Sequence, residues 1–332
     1  MSDNSQTDDL LRNPGSYTED VLRDLGTAAS DISRKQMFFP EVSWEKARVL
    51  VAEFHPVPSF LRPMISNVFS QRRSSQRLHP MSFFALHPLI MRAASDQTFI
   101  EFPAEGHEYT GQSGETSTID RALSLVGDDV AAALCFIHAV CRRVDYVLPK
   151  RISIPILDDA LIRAKLGFYL GMTSRKFGRG EGMLAGFAGR CGLAIQIAAG
   201  DLEEVQGVLE SLAVGEDIQR VGERIYGCEP LQVSALTMIA AGCGREAAEG
   251  TSTFGYQADL PLVSMDELKA RWYAAFCIIE HMRMGRRVLI HDSYWDALDV
   301  TEVKQKLLIE KFMELQRGGH RWRWLTQVTV NG

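Results

Sequence analysis

Apolar residues recur at three- and four-residue steps along most of this chain, the spacing that lines one face of an α-helix. Val21, Leu22 and Leu25 follow a Ser16 to Glu19 capping-box spacing, and Trp44, Val49, Leu50 and Phe54 form a stripe that ends at Pro56 and Pro58. Further helices are predicted over 59–69, 80–95, 117–125, 131–144, 158–177, 181–199, 201–213, 217–226 and 230–242. Asp201 is placed to cap one of them through Leu202, Val205, Leu209 and Leu212, and Gly227 stands where a helix C-cap belongs. The 131–144 helix is apolar nearly all round, which puts it in the centre of a bundle. Strand-like alternation occurs in one place, Arg321 to Val330, which the pattern predicts to be extended.

The pattern fails at three points. The polar run 71–77, with Arg72, Arg73 and Arg77, reads as a solvated linker. Residues 96–116, with Gly106, Gly111 and Gly114 among polar and aromatic residues, read as a long irregular loop, and 250–261 breaks the pattern again. A carboxy-terminal unit over 264–332 then opens with a capping box from Ser264 to Glu267, carries Leu268, Trp272, Ala275, Ile279 and Met282 on one face, and ends with a helix over 301–315. The expected organisation is a disordered segment at 1–15, an all-α bundle over 16–250, and a mostly helical carboxy-terminal extension over 264–332.

With 332 residues, 46% of them hydrophobic, there is material for a sizeable core. A formal charge of −6 argues against bulk attraction to nucleic acid or to an anionic membrane surface. The first residues lack the pattern of a secretory signal, and no run of about 18 uncharged apolar residues occurs, so a cytoplasmic protein without a membrane span is expected. Six cysteines, none in a Cys-x-x-Cys spacing, read as reduced, buried thiols.

Several short segments, taken in order, resemble the HDOD family, regulatory and catalytically inactive relatives of HD-type metal phosphohydrolases, over about residues 54–250. They are Pro56-Val57-Pro58 opening a helix, Leu89 to Ser95, Thr118 to Gly127, Ala185 to Gly192, and Arg224 to Cys228 followed by the helix from Leu231 to Gly244. The resemblance implies an HD-like helical fold and a bacterial signalling role through a protein partner or a small signal. It also marks where chemistry is missing, because the family's metal-binding His-Asp pair falls at Gly189-Arg190. An Asn of the family pattern is Ala94 here, and residues 139–280 hold no histidine to serve as a ligand. No metal and no cofactor are expected.

Other candidates remain. Arg163, Gly189 and Arg190 would line the cleft where such an active site lies, and arginine suits phosphate, so a nucleotide or cyclic dinucleotide is one alternative ligand. A hydrolase with a relocated metal site near His281 and His291-Asp292, or a thiol activity at Cys191, is another. Gly178 to Gly182 precedes a helix as phosphate-cradling loops do, but lacks the Gly-Lys-Ser/Thr ending. His138 reads as a hydrogen-bonded core histidine. Arg321, Trp322, Arg323 and Trp324 either anchor a protein partner or fold back onto the helices. The oligomeric state is left open.

Overall fold

The computed structural model describes residues 9–35, 41–70, 86–104, 118–252, 262, 265–287 and 290–326. Sixteen α-helices can be followed through them: α1 (Glu19–Lys35), α2 (Glu41–Phe54), α3 (Arg62–Ser70), α4 (His87–Ala94), α5 (Gln97–Glu101), α6 (Thr118–Val126), α7 (Asp128–Val147) and α8 (Lys150–Thr173). They continue as α9 (Arg179–Ala199), α10 (Leu202–Ala213), α11 (Ile218–Tyr226), α12 (Pro230–Ala241), α13 (Arg245–Ser252), α14 (Glu267–Arg283), α15 (Asp292–Ala297) and α16 (Glu302–Gly318). No strand occurs among the described residues, so the chain is all-α as its periodicity predicts.

Helix α9 is the axis of the fold. It packs against α7, α8, α12 and α14, and its small residues explain how four neighbours fit. A Cβ on Gly182 would lie 2.0 Å from the Gly167 carbonyl oxygen of α8, and one on Gly192 would lie 1.7 Å from the Pro230 oxygen of α12. Backbones meet directly there, a separation that no larger residue permits. By length and composition α9 would cross a membrane, yet 89% of its apolar window is buried inside the protein.

Helices α14 and α16 belong to the same core: α14 packs on α8, α9 and α13, and α16 lies along α8. Phe312 and Trp322 are fully buried beside residues of the preceding bundle.

The boundaries differ from the sequence expectation in instructive places. Helix α8 starts at Lys150 and carries Pro155 inside it, although a proline lacks the N–H that a helix interior uses. Asp96 does not open a loop; its carboxylate accepts from the Thr98 N–H at 2.9 Å and caps α5, while 105–117 lie outside the described residues. Helix α14 is capped by Asp266, which accepts from Lys269 N at 3.0 Å, and Ser264 lies outside the described residues. Residues 9–12 are helical, with Leu11 buried and the Arg12 carbonyl accepting from Arg143 at 2.7 Å, so the amino-terminal segment joins the body before residue 16. Arg323–Leu325 form a 3-10 turn, not an extended run, because Trp322 and Trp324 both turn inward; 327–332 lie outside the described residues, as do 71–77. On α10 the buried positions are Val205 and Val208, whereas Leu202 is 84% exposed.

Candidate functional site

Three helices bring charge to one point beside α9. Asp159 and Arg163 lie one turn apart on α8 and so share a face. Glu280 and Arg283 do the same on α14, and Arg190 comes from α9 itself. The Asp159 carboxylate receives Arg163 Nε at 3.0 Å and Arg190 Nε at 2.7 Å on one oxygen, and Arg283 Nε at 2.7 Å on the other. Glu280 bonds Arg163 through one oxygen and stands 3.9 Å from Arg190 through the other. Arg163 is 1% exposed. The Arg163, Gly189 and Arg190 singled out from sequence therefore do converge, and a Cβ on Gly189 would make ordinary 3.7 Å contact with the Arg163 side chain.

The cluster holds three guanidinium groups against two carboxylates. Burial pushes the Asp159 carboxyl up, but the charges of Arg163, Arg190 and Arg283 outweigh it and hold the group at about 2. Burial, joined by the like charge of Arg163, lowers Arg190, and Glu280 and Asp159 oppose this.

These residues do not fit the metal of an HD-type centre. A divalent ion needs about four to six donor atoms with free lone pairs. Here each carboxylate oxygen of Asp159 and Glu280 already faces a guanidinium, and the slots of the His-Asp pair hold a glycine and a cation. Among the described residues no group of three His, Cys, Asp or Glu side chains is placed to hold a metal. A relocated site is not assembled either: His291 caps α15, its Nδ1 accepting from Ser293 N at 3.2 Å, and among the described residues neither it nor His281 on α14 belongs to such a group.

The amide-rich start of α9 is likewise occupied from within. Glu181 accepts from Gly178 N at 2.8 Å and Asp129 accepts from Gly180 N at 2.9 Å, so carboxylates of the chain take the place a phosphate would need. Cys191 is buried and burial pushes its thiol up, away from nucleophilic use. His138 bonds the Leu325 carbonyl through Nδ1 at 2.7 Å.

The aromatic tail lies on the body. Trp322 stacks on Phe99 at 5.7 Å and meets Phe168 edge-on at 6.4 Å, while Trp324 donates to Asp96 at 3.0 Å. Arg323 pairs with Asp158 at 2.7 Å and Arg321 is exposed, so of the four tail residues only the two arginines reach solvent. Sequence reasoning missed Asp159, Glu280 and Arg283. The four-residue step from Asp159 to Arg163 was a usable signal for the first, whereas the other two meet Arg163 only through the fold.

No family model matches the chain and no curated protein sequence does. Two solved structures share its fold. A provisionally assigned signal transduction protein from Marinobacter aquaeolei VT8 is 17% identical with a TM-score of 0.55, over 77% of this chain and 56% of that one. A provisionally assigned phosphohydrolase from Shewanella amazonensis SB2B is 15% identical with a TM-score of 0.51, over 84% of this chain and 98% of that one. This chain thus spans just over half the length of the first. The class is an all-α helical protein with the fold of these two structures.

Proposed function

We propose that this chain is a non-catalytic regulatory protein of the HDOD kind, acting in bacterial signalling by binding a protein partner. The observation that carries the reading is the saturation of Asp159 and Glu280 by Arg163, Arg190 and Arg283, beside the Gly189-Arg190 slots to which the resemblance assigns the metal-binding pair. Guanidinium groups there supply the positive charge that a metal would, but offer no open coordination site and no activated water. The likeness to a signal transduction protein supports the same reading at the level of the fold.

A phosphate or cyclic dinucleotide in this cleft would have to displace two carboxylates from Arg163 and Arg190, so that alternative is the weaker one. The test is hydrolysis of phosphomonoesters, phosphodiesters and cyclic dinucleotides by the full-length chain with added Mg²⁺, Mn²⁺ or Fe²⁺. Rates at the level of the protein-free blank are expected. Turnover that disappears in Asp159→Asn would refute the reading.

A further inference from the structure

Residues 319–326 leave α16 and cross the outer face of α7 and α8 as a strap. Beyond its root, where Gly319 N donates to Leu315, its described backbone–backbone bonds are local, Leu325 N to Trp322 and Thr326 N to Arg323. Trp322, Trp324 and Leu325 are buried under it, and side chains of the body bond its main chain. Lys165 donates to the His320 carbonyl at 3.0 Å, His138 to that of Leu325 at 2.7 Å, and Arg142 to that of Thr326 at 2.9 Å. His320 adds its own clasp: Nδ1 accepts from the Trp322 N–H at 2.8 Å, which leaves the ring proton on Nε2 to donate to Asp158 at 3.0 Å.

The strap also carries strain at its root. Gly319 adopts φ 67° with an extended ψ, a region essentially reserved for glycine, and Arg321 sits at φ 60°, left-handed for a residue with a side chain. Beside it lies a cleft of about 360 Å³ whose walls are Arg142, Asp145, Lys150 and Asp158 from the body, closed on one side by Arg323 and Thr326 of the strap.

We propose that residues 319–326 form a proton-released strap, tightened as Lys165 and His320 lose their protons and loosened as they gain them, whose release widens this cleft into a groove along α7 and α8. Lys165 is 6% exposed and His320 4%, so each must give up hydration to close. The charges around them come from every neighbouring element: Asp96 and Glu101 beside and on α5, His138 and Arg142 on α7, Asp158 on α8, Lys311 on α16, and Arg321 and Arg323 on the strap. Burial lowers Lys165 to about 8, with Asp96 and Glu101 opposing and Arg321 and Lys311 assisting; burial likewise lowers His320, against Asp158.

The signs agree. A released Lys165 titrates near 10.5, so between pH 8 and 10.5 the open form holds more protons and raising pH favours closure. A released His320 titrates near 6.5, so below that pH protonation favours opening. Asp158 lies below its usual range when closed, and loses its contribution only as pH falls under 4.

Hydrogen exchange of the amides of residues 320–326 in the full-length chain, divided by the chemical exchange rate at each pH, reads the open fraction from pH 5.5 to 9. In wild type it should fall by up to about tenfold per unit toward pH 6.5, stay level to pH 8, and fall again to pH 9. His320→Gln keeps one acceptor and one donor without the charge and should remove the lower step, and Lys165→Met should remove the upper one. A wild-type open fraction constant over the whole range overturns the proposal, as does persistence of both steps in both variants. The wild-type arm requires no substitution to fold, and none of these outcomes depends on whether the chain is catalytic.

Discussion

Asp158 and Asp159 are consecutive on α8, about 100° apart around the helix, and they organise two regions of different character. Asp159 faces α9 and α14, where three arginines converge on it from α8, α9 and α14. Asp158 faces the carboxy-terminal strap and shares its oxygens between a histidine and an arginine that is 66% exposed. The inner region is built on backbone contact and buried charge, so it has one arrangement. The outer one joins buried Trp322 and Leu325 to a set of side-chain clasps on a segment whose described main-chain bonds are local, and the proposed release acts on those clasps. The same helix thus supplies a fixed centre on one face and a movable contact on the other.

The largest blow to the inner region is Gly182→Val, which drives a side chain into the Gly167 carbonyl 2.0 Å away. A loss of at least about 3 kcal/mol, seen as poor folding in circular dichroism, is expected, against little effect from a like change at Gly26 of α1, where nothing lies within 4 Å and φ is not left-handed. Next comes Arg163→Met, which leaves Glu280 short of its buried partner and should cost about 3 to 5 kcal/mol in denaturant melts.

Acid gives a third and smaller effect. Because the folded Asp159 is held at about 2 and the unfolded group titrates near 3.8, its contribution is complete above pH 4 and is lost as pH falls toward 2. That loss is roughly 2 kcal/mol, and Asp159→Asn should abolish that part of the pH dependence when stability is followed between pH 5 and 2. The smallest effect belongs to the outer face: Arg323→Ala removes an exposed ion pair and should leave the melting temperature unchanged, while raising exchange across residues 320–326. A collapse of the whole fold in that variant would erase the contrast between the faces.

Much of this fold could be read from periodicity, because amphipathic helices advertise their buried side. Asp201 and Gly227 act as the caps their residue types suggest, with Asp201 accepting from Glu204 N and Gly227 at φ 71°. What periodicity could not weigh was tertiary support for locally poor choices, such as Pro155 inside α8. The alternation at Arg321 to Trp324 misled for a related reason, since two tryptophans two residues apart can both be buried by a tight turn as well as by a strand. In the candidate site, Arg163 and Arg190 stood out as cations in apolar helices. Their partner Glu280 lies 117 residues from Arg163 in sequence, and only the packing of α14 on α8 brings it there.

The central claim is that guanidinium groups occupy the carboxylates of Asp159 and Glu280 beside Gly189-Arg190 and leave them no room for a metal. Elemental analysis of the full-length chain purified without chelator, with Asp159→Asn alongside, tests it most directly. Less than about one-tenth of an equivalent of any transition metal in both proteins is the predicted result, since every oxygen of the two carboxylates is already paired. A full equivalent retained by the wild type and lost from Asp159→Asn would contradict it.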